Sequence, residues 1–186
     1  MTYTFTSESV SRGHPDKVAD QISDALLDAA LEAGDETTRC AIETLVTTNM
    51  VTLAGEVKNF NLSKAQVEDI VRKTVRGIGY RDGGGFDWAT LRIYNELHSQ
   101  SSDIGLGTDD FGAGDQGIMF GYASNENPEF MPTPINLAHR LLQAMDARRI
   151  GGDDTLLPDA KSQITVEYEG SKPRRIASVV CSHQHT

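Results

Sequence analysis

Cysteine occurs only twice in these 186 residues, at Cys40 and Cys181, and neither sits in a CxxC pair. Two thiols so placed do not build a disulfide scaffold, so both are expected to be reduced. Long apolar runs are missing as well. No stretch approaches the roughly 18 apolar residues of a membrane helix, and the opening MTYTFTSESVSRGHPDK lacks the apolar centre of a secretory signal. The expectations are a cytoplasmic protein and no membrane association. Basic residues are the minority, 17 against 27 acidic ones, for a net charge of -10. Phosphate-backbone affinity depends on clustered Lys and Arg, so general nucleic-acid binding is not expected. A small anion needs only a local positive group or a helix N-terminus. No internal repeat or low-complexity tract is evident. What is present is a hydrophobic fraction of 38%, in a chain long enough for one sizeable domain or two small ones, burying roughly 70% of its unfolded surface.

The first periodic segment follows Pro15. Val18, Ile22, Ala25, Leu26 and Ala29 recur at helical spacing, with Gly34 at the far end, while Asp16, Asp20, Asp24 and Asp28 form an i,i+4 stripe on another face. Such a stripe is most simply solvated surface. CAIETLV and MVTLAGEV, joined by Thr47, Thr48 and Asn49, predict a hairpin or two neighbouring strands. Ser63 to Gln66 spells a capping box, and Val67, Ile70, Val71, Thr74, Val75 and Ile78 predict a helix ending near Gly79. RDGGGFD predicts a turn and WATLRIYNEL a strand. The glycine-rich tract 99–117 predicts a loop, and IMFGYA after it a short buried strand. Pro132 and Pro134 precede a third helix through Leu137, Ala138, Leu141, Leu142 and Met145, with Arg148 and Arg149 in its last turn. ITVEYEG and RRIASVVCS predict two further strands. This order predicts an α/β fold of the α+β kind, with mixed or mainly antiparallel sheets and helices on one face. The expected division is an amino-terminal α/β domain at 1–98, a flexible loop and linker at 99–117, and part of a second α/β domain at 118–186.

Several constellations can carry chemistry. In Ser11-Arg12-Gly13-His14-Pro15-Asp16-Lys17, His14 can donate a hydrogen bond or move a proton, Asp16 is a hard oxygen ligand suited to Mg²⁺, and Lys17 is a compact positive charge. They lie at a helix entrance that itself favours anions. A polar cap with a surface histidine has the same spelling. GAGDQG, residues 112–117, permits close backbone approach to a ligand and offers Asp115 and Gln116, but is neither GxGxxG nor a Walker A sequence. A flexible turn fits it equally well. Glu43 and Glu56 lie in the two paired strands, where alternation allows a paired buried carboxylate or one facing water. Asp159 and Lys161, in PDAKSQ, suit a phosphate or ribose contact and also suit an ordinary element end. His183 and His185 have no partners for a zinc site, and a frayed terminus is the expected setting.

Together, FTSESVSRGHPDKVADQISDALLDA, IET, AGEV, QSSDI, GAGDQGIMFGYA, MPTPINLAHRL and LPDAKSQITVEY resemble the amino-terminal half of the S-adenosylmethionine synthetase (methionine adenosyltransferase) family. The resemblance covers nearly the whole chain. It implies transfer of the adenosyl group of ATP to the sulfur of L-methionine, with triphosphate leaving and being cleaved to phosphate and pyrophosphate. By the same resemblance, His14 is the triphosphate-side histidine and, with Lys161, a catalytic residue. Asp159 and Lys161 join His14 in contacting ATP, with Lys17 in a supporting electrostatic role. Glu56, Gln100 and Asp115 are implied at the methionine site, Asp16 as a Mg²⁺ ligand, and Glu43 beside a K⁺ ion. The stretch after Gln100 corresponds to a flexible active-site loop.

The family's enzymes are about twice as long, with three related α/β domains and active sites between the two subunits of a tight dimer. The glycine-rich segment with its phosphate-binding lysine, further basic triphosphate contacts and a second metal-binding acid are not in this sequence. The implied partners are therefore a homodimer or higher homo-oligomer, or a complementary carboxy-terminal half. A noncatalytic nucleotide- or methionine-binding module, or a subunit modulating a full-length synthetase, is the alternative.

Overall fold

A computed structural model describes residues 1–81, 85–101 and 116–186. The described chain forms two compact units, one made of residues 1–17 with 120–186 and the other of residues 18–119. Strand β1 (Thr2–Val10) opens the first unit, and the boundary falls inside helix α1 (Pro15–Ala33), after Lys17.

In the unit of residues 18–119, strands β2 (Arg39–Thr47) and β3 (Met50–Lys58) form the predicted antiparallel hairpin, in register from Arg39 opposite Lys58 to Thr47 opposite Met50. Helix α2 (Lys64–Ile78) then carries the chain to strand β4 (Arg92–Ser99), which lies parallel to β3. A parallel neighbour requires a crossover of this kind, whereas an antiparallel one needs only a turn. Both ends of α2 follow the sequence. Ser63 Oγ accepts the Gln66 N–H at 3.4 Å while Gln66 Oε1 accepts the Ser63 N–H at 2.9 Å; a cap of this sort is worth about 1 kcal/mol. Gly79 ends the helix in the left-handed conformation, φ 109°.

Val18, Ile22 and Leu26 of α1 and Val67, Val71, Val75 and Ile78 of α2 share one core with Val51 and Leu53 of β3. Ile42, Val46, Ile93 and Leu97 pack against that core, so both helices cover the same face of the sheet. Arg72 fastens the approach to β4 by donating to the carbonyls of Trp88, Ala89 and Leu91 at 2.8, 3.2 and 3.1 Å. The four aspartates of α1 are all exposed, as a solvated stripe should be.

In the other unit, strand β5 (Leu156–Glu169) is central, flanked by β1 and by β6 (Lys172–His185), all antiparallel. Helix α3 (Thr133–Ile150) supplies Ala138, with Leu137 and Leu141, to a core containing Ile164, Val166 and Tyr168. The even-numbered residues of β5 from Pro158 to Tyr168 are buried. Asp159 and Lys161 therefore belong to the face opposite that core.

Mixed and antiparallel sheets with helices on one face match the expected architecture. Two local expectations are corrected. IMFGYA forms no strand: Ile118, Met119, Phe120 and Tyr122 are 78% or more exposed, and no neighbouring strand pairs their backbone, the condition an apolar run needs to become a buried strand. His183 and His185 lie in β6 rather than in a frayed end, because β5 extends far enough to pair with them at Ala160 and Leu156.

Candidate functional site

The nucleotide-side candidates come together in the unit of residues 1–17 and 120–186. Strand β1 ends with Val10 opposite Lys161, and Ser11 continues the pairing, its N–H donating to the Ala160 carbonyl at 2.9 Å. The Ser11 hydroxyl donates to the Pro158 carbonyl and accepts the Ala160 N–H, both at 2.7 Å. Gly13 follows, so close to β5 that an added Cβ would lie within 2.5 Å of the Pro158 carbonyl carbon and oxygen. Glycine is required there by the approach itself. The Ser11 carbonyl then accepts the His14 N–H at 3.1 Å, turning the chain into α1.

This seam joins GHPDK to PDAK across about 150 positions of sequence and brings His14, Asp16 and Lys17 to the same end of the sheet as Asp159 and Lys161. The His14 side chain is largely covered, with Nδ1 accepting the Asp16 N–H at 3.3 Å and lying 3.8 Å from the Asp16 carboxylate. Asp16 itself is 90% exposed, as a group meant to meet a ligand in solution must be. Lys161 is exposed. Asp159 Oδ1 is buried and accepts no hydrogen bond from the described residues. A buried acceptor left in that state costs free energy unless a ligand or water satisfies it.

The methionine-side candidates lie in the unit of residues 18–119. Glu43 is opposite Ala54, and Glu56 opposite Ala41 on one side and His98 on the other. By strand alternation all of these belong to the sheet face that α1 and α2 leave open. Glu56 Oε1 is 3.5 Å from His98 Nε2. Gln100 extends β4 by donating its N–H to the Val57 carbonyl at 2.9 Å, and its side-chain Oε1 is buried without a partner among the described residues. Glu56 and Gln100 are thus neighbours at the end of the parallel pair. Glu43 stands farther along the same open face, exposed and two strand positions from Ala41. Asp115, and with it most of the 99–117 loop, lies outside the described residues.

Chemically, the first group offers a covered imidazole, an exposed carboxylate, two lysines and an unsatisfied buried acceptor, a set suited to a phosphorylated ligand with a divalent cation. Its position at the first turn of α1 adds the helix dipole. The second group offers a carboxylate and an amide oxygen with no basic partner beyond His98, suited to an ammonium group. No group of three or more His, Cys, Asp or Glu side chains that could enclose a metal occurs among the described residues. Any Mg²⁺ here must draw on waters and ligand phosphates as well, which is its usual habit.

Sequence reasoning passed over three participants. Ser11 was in view within the motif but without a role, since its partners lie on β5. His98 gave no signal, because its meeting with Glu56 depends on the parallel register. Arg12 reaches Asp146 of α3 at 2.8 Å, and Arg149 holds the same carboxylate at 2.7 Å, a pairing invisible without the packing of α3.

Comparison with known proteins agrees with this division. The family model for the S-adenosylmethionine synthetase N-terminal domain matches residues 2–102, and that for the central domain matches residues 110–186. Among curated relatives, the S-adenosylmethionine synthase of Paramagnetospirillum magneticum is 53% identical over 98% of this chain and 48% of its own length. That of Paracoccus denitrificans and the S-adenosylmethionine synthase 2 of Rhodospirillum rubrum are each 51% identical over 98% of this chain and 48% of their own length. The chain spans about half the length of these relatives. Matched by both domain models in chain order, and carrying the GHPDK and PDAK segments hydrogen-bonded side by side, the chain belongs to the S-adenosylmethionine synthetase family, of which it holds the N-terminal and central domains.

Proposed function

We propose that this chain serves, in the cytoplasm, as one half of an enzyme that makes S-adenosylmethionine from ATP and L-methionine, releasing phosphate and pyrophosphate. The observation that carries the reading is the seam of Ser11 and Gly13 against Pro158 and Ala160, which gathers His14, Asp16, Lys17, Asp159 and Lys161. In the reaction, a sulfur lone pair of methionine forms a bond to C5' of the ribose, and the C5'–oxygen bond breaks with its electron pair leaving on triphosphate. Water then cleaves the triphosphate.

The thioether is already a nucleophile, so the chain need not supply a base to create one. Its task is to align sulfur, C5' and the leaving oxygen and to offset the growing negative charge. His14 donates to the triphosphate and Lys161 places a positive charge beside it, with Lys17 in support. Asp159 accepts from the nucleotide. Glu56 takes the methionine ammonium group, and Gln100 and Asp115 line the same pocket. Hard oxygen donors are the chemistry a Mg²⁺ site needs, and the exposed Asp16 carboxylate meets that requirement. Glu43, a single exposed carboxylate, would hold K⁺. When bound, Mg²⁺ neutralises charge on the triphosphate oxygens.

Two lysines and one histidine do not offset a triphosphate on a chain of net charge -10. The remaining basic groups come from a partner, either a second subunit in a homo-oligomer or a carboxy-terminal half. The test is to incubate the purified chain with ATP, L-methionine, Mg²⁺ and K⁺, alone and with a separately produced carboxy-terminal half of a full-length relative. S-adenosylmethionine is measured by mass spectrometry. Little product alone and clear product with the added half is the expected result. Robust turnover by the verified 186-residue chain would overturn the half-enzyme reading. Binding of both substrates without product in either arrangement would make it a noncatalytic module instead.

A further inference from the structure

We infer that Ser11 is a positioning residue for the nucleotide site, acting by fixing the backbone on both sides of Asp159. The inference rests on the nucleotide reading above and deepens it. The Ser11 hydroxyl bridges the Pro158 carbonyl and the Ala160 N–H, the two peptide groups that flank Asp159. A third bond, from the Ser11 N–H to the Ala160 carbonyl, fixes the same peptide from its other end. Ser11 is 7% exposed, and Pro158 and Ala160 are buried. The hydroxyl therefore has no water to exchange its partners with, and the arrangement is tight at both ends.

Between those clamped peptides stands the one carboxylate of the cluster with a buried, unpartnered oxygen, Asp159 Oδ1. Strand alternation turns the Asp159 side chain away from the face that Pro158 and Ala160 bury. Its direction is then set by the two peptide planes beside it, and those are what Ser11 holds. The same residue's carbonyl receives the His14 N–H, so a single serine sets Asp159 on one strand and starts the turn that presents His14 on the other. The hydroxyl touches no reacting atom itself. Its contribution is to orientation, where small displacements of a binding group have large effects.

The experiment is a double-mutant cycle on the full chain, titrating adenylyl imidodiphosphate with Mg²⁺ by calorimetry. Ser11→Ala is expected to weaken binding about tenfold, Ser11→Thr, which keeps the hydroxyl, to restore most of it, and Asp159→Asn to weaken it by itself. In the Asp159→Asn background, Ser11→Ala should then add less than about a twofold loss, because its effect runs through that carboxylate. Amide hydrogen exchange should quicken at Ala160 in Ser11→Ala while Ile164 and Val166 stay protected. A merely structural serine would give losses that multiply in the double variant and faster exchange along the whole of β5, and either result overturns the inference. So does wild-type affinity in Ser11→Ala. Should that variant lose its melting transition, Ser11→Cys, similar in shape with a weak donor, is judged by the same criteria. Failure of the wild-type chain to bind the analogue is a separate result, removing the nucleotide reading itself and the role of Ser11 with it.

Discussion

Glu56 and His98 are register partners across the parallel strands β3 and β4, with Oε1 of one 3.5 Å from Nε2 of the other. Gln100, one alternation farther along β4, belongs to the same face. A ligand ammonium would take the place of the imidazole as the partner of Glu56. Glu56→Gln is therefore expected to weaken L-methionine binding by about tenfold or more, the scale of a charge-assisted hydrogen bond. His98→Ala should change it much less. Calorimetric titration of the chain with L-methionine decides the matter, and equal effects of the two substitutions would remove Glu56 from the ammonium site.

Asp16 and Asp24 sit in the same file of exposed aspartates on α1, yet only Asp16 stands at the helix entrance beside His14. Asp16→Asn is expected to abolish the Mg²⁺ dependence of ATP-analogue binding, while Asp24→Asn leaves it within about twofold. Titrations at several Mg²⁺ concentrations provide the comparison. Equal losses would reduce Asp16 to one more member of the stripe.

Gly13 has no room for a methyl group against Pro158. Gly13→Ala should destabilise the unit of residues 1–17 and 120–186 by about 1–3 kcal/mol, the usual range for overpacking. Gly77, with nothing within 4 Å of an added Cβ, serves as the control: in α2, Gly77→Ala should be neutral or stabilising. Urea denaturation of both variants tests this, and an unchanged midpoint for Gly13→Ala would contradict the close approach.

Glu126 and Tyr168 predict a stability profile with two arms. Burial pushes the Glu126 carboxyl up, but the Thr133 N–H and the Tyr168 hydroxyl, at 2.9 and 2.7 Å, outweigh it and hold the group below its usual range. Burial raises the Tyr168 phenol, and the hydrogen bond and charge of Glu126 raise it further. The Glu126 contribution is present above the unfolded value of about 4.3 and is lost as pH falls through the lowered folded value. The Tyr168 contribution is present below about pH 10 and is lost as pH rises towards the raised folded value. Glu126→Gln should flatten the acid arm and Tyr168→Phe the alkaline one. Denaturant midpoints measured across the pH range would show this, and slopes parallel to wild type would refute the assignment.

The sequence by itself determined whatever depends on neighbours three or four residues away. Ser63 with Gln66, the Val67 to Ile78 periodicity and Gly79 define α2 completely, because capping and amphipathic spacing are local. Val18, Ile22 and Leu26 likewise marked the buried side of α1. The β2–β3 hairpin was legible from its short connection, and GHPDK and PDAK were legible as candidate chemistry from residue type alone. Only the tertiary structure decided that those two segments are neighbours, since the pairing of β1 with β5 joins residues some 150 positions apart and strand alternation names a face without naming its partner. For the same reason Glu43 and Glu56 could not be assigned from sequence to the open face, nor could His98 be set beside Glu56. IMFGYA went the other way, an apolar run that finds no strand to pair with. Ser11 shows the difference most plainly. Its identity is written in the motif, but its function resides in two peptide groups of another strand, and no periodicity records that.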